Sequence, residues 1–281
     1  MVHIVADTST MYSSEEAKQA GFAVSPLAVT IAGESYRELD EMDAERFVAL
    51  INEGNMPRSS QPALGDVMDA YAACGDDEVL NIAMADGLSG TYSTAVAAAE
   101  ASGSDRITVM NSGTLCGPHR HLVETAVKLA RKGLSLQEIR ARVEALMKTE
   151  KSFLIPSDFD YLRRGGRLSP LVSYVGKAIK MAPVLTLSAD RRQLVMSGVK
   201  RFFKQAVAHV SKELTAHGVG AGWRIYVTHA AAPDMAQAAK AALEQAFAKA
   251  TLEIHQLTPA FITQGGPGCV AIQVVRELQE A

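Results

Sequence analysis

Short apolar runs that end in polar, hydroxyl-bearing residues, each followed by a stretch of helical period, dominate the first half of this chain. Residues 3–6 are apolar and stop at Asp7-Thr8-Ser9-Thr10. Val79-Leu80-Asn81-Ile82-Ala83-Met84 runs into Asp86-Gly87-Leu88-Ser89-Gly90-Thr91-Tyr92, and residues 93–99 then have helical composition. Residues 106–110 stop at Asn111-Ser112-Gly113-Thr114, ahead of a helix predicted from about Pro118 to Ala130. Residues 22–31 are strand-like. Ser13-Ser14-Glu15-Glu16 and Ser135-Leu136-Gln137-Glu138 have the capping-box spacing, Asp43 caps a helix over 44–51, and Gly21, Gly54 and Gly133 are placed to stop helices. Strands alternating with helices predict a parallel sheet with helices on both faces. Its polar strand ends would collect along one edge, where open α/β sheets place ligands.

The pattern changes after about residue 150. Phe153-Leu154-Ile155 is strand-like and leads to a polar, basic loop, Asp160-Tyr161-Leu162-Arg163-Arg164-Gly165-Gly166-Arg167-Leu168. Residues 184–187 and 193–196 flank Asp190-Arg191-Arg192 as a hairpin. Residues 202–216 and 233–250 are long amphipathic helices, and 224–228 and 252–255 are strands. Phe261-Ile262-Thr263-Gln264-Gly265-Gly266-Pro267-Gly268 is a Gly-rich turn entering a last strand. The expected architecture is α/β with two domains. Residues 1–150 form a parallel-sheet, three-layer α/β/α domain, residues 151–281 form a mixed-sheet α/β domain, and the default ligand site is a cleft between them.

Composition narrows the partners. Of 281 residues, 28 are Lys or Arg and 31 Asp or Glu, a net charge of −3 that gives no electrostatic reason to expect nucleic acid. Three cysteines without a C-x-x-C pair suit a reducing compartment and argue against a disulfide framework or structural zinc. The first residues lack a basic leader, and no window approaches the ~18 apolar residues of a membrane helix, so a cytoplasmic protein is expected.

The chemistry concentrates at strand-to-helix turns. At Ser89-Gly90-Thr91 the first amides of the next helix, its dipole and the hydroxyls suit a small anion: phosphate, sulfate or carboxylate. Ser59 and Ser60 precede Gln61-Pro62 and are expected to cap a second helix, with Pro62 at its first position. Gly87-Leu88-Ser89-Gly90-Thr91 is also close to a nucleophile elbow, which would make Ser89 a nucleophile with His119, His121 or His229 as base; Thr91 stands where the last small residue belongs. Gln264-Gly265-Gly266-Pro267-Gly268 lacks dinucleotide-binding spacing, and there is no phosphate loop of the G-x-x-x-x-G-K-[ST] kind. The arginines around Gly165-Gly166 fit a solvated loop, a docking surface or an anion contact. His119 and His121, two apart on a predicted helix, do not share a face and make a poor metal site.

Taken together, Asp7-Thr8-Ser9, Ser59-Ser60-Gln61-Pro62, Leu88-Ser89-Gly90-Thr91-Tyr92, Asn111-Ser112, Tyr161–Leu168 and Gly266-Pro267-Gly268 resemble the DegV family, in the family's order and over nearly the whole chain. The resemblance implies two α/β domains with one long-chain fatty acid in a tunnel between them. It places the carboxylate against Ser59, with Ser60 beside it, and against Ser89 with Gly90 and Thr91; Gln264 stands where the family often carries a histidine. It implicates Arg167 at the mouth that faces a kinase and makes Asp7 and Asn111 accessory. It implies no catalytic residue, no metal and no cofactor beyond the bound fatty acid, and no stable membrane insertion. Several family members present the acid to a separate ATP-dependent fatty acid kinase that makes the acyl phosphate. The alternatives are a serine esterase using Ser89 and a lipid-dependent sensor or adaptor. Ser59 replaces a common threonine, Ala63 a serine, Asn111 an aspartate and Ala182 a lysine. Gln264 can donate a hydrogen bond but cannot become cationic.

Overall fold

The computed structural model describes residues 1–169 and 181–278. The chain folds as two compact units, Met1–Lys148 with Thr258–Ala260, and Thr149–Leu257 with Phe261–Ala281.

In the first unit, β1 (Val2–Asp7), β2 (Ala23–Ser25), β6 (Glu78–Ala83) and β7 (Ile107–Asn111) form a parallel sheet in the order β2-β1-β6-β7. The helices α3 (Leu64–Ala72), α4 (Thr91–Ser102) and α5 (Cys116–Arg131) pack on it. Val5, Val79 and Ala83 from the strands meet Val67 and Tyr71 of α3 and Ala95 and Ala98 of α4 in a buried cluster. The small residues of α4 let it lie close to the sheet. The two polar groups in this core satisfy each other, since Asn81 Nδ2 donates to Tyr71 Oη at 2.8 Å and Tyr71 Oη donates to the Ala95 carbonyl at 3.1 Å.

Helix ends follow the sequence signals. Ser13 and Glu16 close a capping box on α1 (Ser14–Ala20), as do Ser135 and Glu138 on α6 (Leu136–Met147), and Asp43 caps α2 (Ala44–Asn52). The strand expected over 22–31 is split. Pro26 lies between β2 and β3 (Ala28–Ile31), and β3 pairs instead with β4 (Glu34–Arg37) and β5 (Arg58–Ser60) in a separate antiparallel sheet. Proline has no amide to continue the ladder, so the chain changes sheets there.

The second unit holds a mixed sheet in the order β10-β9-β8-β13-β11-β12, with β8 (Lys151–Ile155), β9 (Ala182–Leu187), β10 (Leu194–Lys200), β11 (Trp223–His229), β12 (Thr251–Gln256) and β13 (Val270–Arg276). Among its described pairings only β11 and β12 run parallel, which makes the sheet mixed, and β9 and β10 form the expected hairpin. The long helices α8 (Phe203–Ala216) and α9 (Pro233–Ala246) bury Val207, Val210, Leu214, Ala236, Ala239 and Leu243 against strand residues that include Phe153, Ile225 and Ile272.

One buried carboxyl joins distant parts of the first unit. Glu38 accepts from Thr8 Oγ1 at 2.5 Å and from the Ala260 amide at 2.8 Å, so segment 258–260 is anchored there. Complete burial pushes its carboxyl from the usual 4.5 up to about 7, against hydrogen bonds from Thr8, Ala260 and Thr258; the Asp7 charge adds to the rise. A raised folded pKa means that stability from this group is complete below 4.5 and is lost as pH rises through about 7. Urea unfolding of the wild type and Glu38→Gln should therefore show wild-type stability falling, relative to the variant, by on the order of 3 kcal/mol between about pH 5 and pH 8. A pH-independent difference would show that Glu38 ionises in the fold as easily as in the unfolded chain.

Candidate functional site

The turn 86–91 hangs from the ends of three strands. Asp7, at the end of β1, is buried, and its Oδ1 accepts from the Ser9 amide and its Oδ2 from the Met84 amide, both at 2.9 Å. Asn111, at the end of β7, accepts through Oδ1 from the amides of Gly113 at 3.0 Å and Asp86 at 3.4 Å. The Ala85 amide donates to the Thr114 carbonyl and the Ser112 amide to the Ala83 carbonyl, each at 2.9 Å. Asp7 and Asn111 thus spend their side chains on the backbone on either side of the turn.

Within the turn, Ser89 Oγ lies 2.8 Å from Thr91 Oγ1 and accepts from the Thr91 amide at 3.3 Å. Gly90 is the N-cap residue of α4 and can offer no capping side chain. The first-turn amides of Tyr92 and Ser93 have no acceptor among the described residues. Two hydroxyls and a pair of open helix amides offer hydrogen-bond donors to an acceptor.

Ser59 and Ser60 do not cap a helix. They lie in β5, with Ser59 opposite Val29 and Ser60 opposite Ala28 on β3, while α3 starts at Leu64 with Ala63 as its N-cap residue and no side-chain cap. Pro62 therefore sits outside the helix, because an antiparallel partner claims the preceding residues first. Ser59 is half-buried and Ser60 exposed. The segment meets the turn through Gln61: a Cβ on Gly90 would fall within contact distance of Gln61 Oε1 and 2.8 Å from its Cδ. Gln61 belongs to the Ser59-Ser60-Gln61-Pro62 segment, but no spacing rule marks a side chain that packs on a distant glycine.

In the second unit, the two motifs that carry Arg167 and Gln264 interlock. Residues 160–165, expected as a loop, belong to helix α7 (Phe159–Gly165), closed by Gly166 in the left-handed region. The expected Gly-rich turn begins as helix α10 (Pro259–Gly265), which contains Gln264. Gln264 Oε1 lies against Gly165, a Cβ on Gly266 would come 2.8 Å from Tyr161 Cδ2, and one on Gly268 would come 3.0 Å from Ser157 Cβ. Ser157 Oγ donates to the Pro267 carbonyl, and Arg167 Nη1 donates to the Gly165 carbonyl. Arg163 pairs with Asp160 at 2.9 Å, and the Arg164 guanidinium lies 4.7 Å from the Tyr161 ring centre.

The histidines offered as bases do not serve Ser89. His119 is fully buried, with Nε2 2.8 Å from the Ile82 carbonyl and Nδ1 2.6 Å from Ser9 Oγ. A carbonyl can only accept, so Nε2 carries the proton and Nδ1 accepts from Ser9. His229 Nδ1 accepts from the Ala232 amide at 3.2 Å, and burial lowers its pKa. Among the described residues no histidine hydrogen-bonds Ser89 and no group of three His, Cys, Asp or Glu could hold a metal.

The family model described as uncharacterised protein, DegV family, matches residues 1–277. A DegV domain-containing protein of Staphylococcus aureus (strain N315) is 28% identical over 280 residues, 98% of each chain. A crystal structure described as DegV, a fatty acid binding protein from Bacillus subtilis, is similar with a TM-score of 0.85 and 26% identity over 98% of this chain and 99% of that one. A Thermus thermophilus structure described as fatty acid binding of a DegV family protein shares the fold, with a TM-score of 0.88 and 24% identity over 98% and 99% of the two chains.

The glycine contacts make a stability prediction. Gly266 and Gly33 both have positive φ, +76° and +84°, but only Gly266 faces a ring; nothing lies within 4 Å of a Cβ at Gly33. Urea unfolding should show Gly33→Ala losing about 1 kcal/mol to backbone strain and Gly266→Ala losing a further ~1–2 kcal/mol to overpacking against Tyr161. Equal losses would mean that Tyr161 gives way freely.

Proposed function

The chain belongs to the DegV family, and from that premise we propose that it binds one long-chain fatty acid and holds the carboxylate at the Ser59–Ser60 and Ser89–Gly90–Thr91 segments. The observation that carries the reading is the start of α4, where Ser89, Thr91 and the open amides of Tyr92 and Ser93 surround an N-cap residue without a side chain. A carboxylate accepts hydrogen bonds only and is favoured at a helix N-terminus. The similarity to the Bacillus subtilis protein described as fatty acid binding supports the same ligand class.

The energetics divide between the two ends of the ligand. A chain of ~16 carbons removes apolar area from water worth ~0.8 kcal/mol per methylene, about 12 kcal/mol gross before ordering costs. Hydroxyl and amide donors add orientation without burying an ion pair, whose desolvation would offset much of its attraction. Carboxylate oxygens held this way can still leave one lone pair open to a phosphoryl group.

A serine hydrolase is the weaker reading, because Ser89 has Thr91 as its partner and, among the described residues, no histidine within hydrogen-bond reach. We assign the chain the role of a carrier that presents the acid to a separate ATP-dependent fatty acid kinase, with Arg167 toward that partner and Gln264 as a further polar group near the ligand. The acyl phosphate would form on the kinase, and this chain would make or break no bond.

Native mass spectrometry of the purified protein should show one bound long-chain fatty acid. The Ser89→Ala protein should show weaker retention in competition, by on the order of 1–2 kcal/mol for one hydrogen bond to a charged group. An empty protein that binds no added fatty acid would overturn the proposal, and loss of an esterase activity with binding intact would establish the hydrolase. Mixing the loaded protein with a fatty acid kinase and ATP should yield acyl phosphate, trapped as the hydroxamate. Binding without product would favour a lipid-dependent sensor or adaptor.

A further inference from the structure

Gln61 carries none of the hydroxyls assigned to the carboxylate, yet it stands where the two hydroxyl-bearing segments meet. It follows β5 directly, and its side-chain amide lies over the backbone of Gly90. Gly90 has φ −72°, a conformation open to any residue, so a side chain there would matter for room, against the end of the exposed Gln61 side chain. The atom seated on Gly90 is Oε1; Nε2 lies farther off, 3.3 Å from the Cβ position. Among the described residues nothing hydrogen-bonds the Gln61 amide.

This arrangement distinguishes Gln61 from the serines around it. A hydroxyl donates or accepts as its partner requires, so Ser59, Ser89 and Thr91 serve an acid or an alcohol equally well. An amide N–H only donates. Lying over Gly90, the N-cap residue of the helix whose first-turn amides at Tyr92 and Ser93 are open, it adds to a set of donors that a carboxylate can satisfy with both oxygens and that a lone alcohol oxygen cannot.

We propose that Gln61, seated on Gly90, is the head-group specificity residue, donating through Nε2 to the ligand carboxylate and so favouring a fatty acid over the neutral alcohol of the same length. The proposal rests on the fatty acid reading above and adds what discriminates the head group. Gly90 takes part by absence, since a methyl group there would push the amide off its seat.

The test is competition of palmitic acid and of 1-hexadecanol against a fluorescent fatty acid on the full chain, with wild type, Gln61→Met, Gly90→Ala and the double variant. Methionine keeps the length of the side chain and removes its donors. Gln61→Met should lower the acid-over-alcohol preference about tenfold while changing alcohol affinity less than about twofold, the scale of one hydrogen bond to a charged group. Gly90→Ala should lower the same ratio and add little in the Gln61→Met background, because both act through one contact. A merely structural role would weaken acid and alcohol together. That outcome, an unchanged ratio, or additive losses in the double variant would overturn the proposal. If Gln61→Met fails to fold, Gly90→Ala carries the comparison alone. A wild type that binds neither competitor would overturn the fatty acid reading itself, which is a different result from a wild type that binds both without preference.

Discussion

Parallel strands end with backbone amides and carbonyls that the ladder no longer pairs, and in the first unit side chains have to supply the partners. Asp7 does so for Ser9 and Met84, Asn111 for Gly113 and Asp86, and His119 for the Ile82 carbonyl. Each is buried or half-buried, so an unmet group would cost about 1–3 kcal/mol. The turn 86–91 is consequently fixed from both flanks before any ligand arrives. That is the condition under which weak hydroxyl donors can orient a carboxylate, since a mobile turn would give back in entropy what each hydrogen bond contributes.

The resemblance made Asp7 and Asn111 accessory, and the geometry gives each a task that needs no ligand. Asn111 stands where the family commonly has an aspartate. The two bonds seen at Asn111 use only Oδ1 as acceptor, which either side chain provides, so the exchange leaves this support of the turn intact. It does remove a negative charge a few residues from the proposed anion site, which lowers the repulsion a bound carboxylate would meet.

What could be read from the chain, and what could not, divides by the range of the deciding interaction. Capping boxes at Ser13 and Ser135, the Asp43 cap and the alternation of strand and helix are local, and they stand as the pattern predicts. The misplaced features are short elements set by distant partners. Ser59 and Ser60 look like a helix cap beside Pro62, but β3 supplies a strand to pair with. Residues 160–165 read as part of a basic loop and 261–268 as a Gly-rich turn, yet 159–165 and 259–265 are helices, with Gly165 against Gln264 and Gly266 against Tyr161. Gln61 stands in the Ser59–Pro62 segment, but its contact with Gly90, 29 positions away in the sequence, has no local signal.

The near match of Gly87–Thr91 to a nucleophile elbow shows how one local geometry can serve two ends. A strand-to-helix turn with a serine at its tip puts a hydroxyl beside open amides in either case. Catalysis further requires a base within hydrogen-bond reach and a third group to orient it. Here the imidazole nearest in kind to such a base, His119, is turned into the sheet and locked by a carbonyl on one nitrogen and Ser9 on the other. Both of its ring nitrogens are thus engaged away from Ser89. Among the described residues no histidine hydrogen-bonds Ser89, and the turn presents hydroxyl and amide donors. Donors of that kind orient an acceptor group by hydrogen bonding alone.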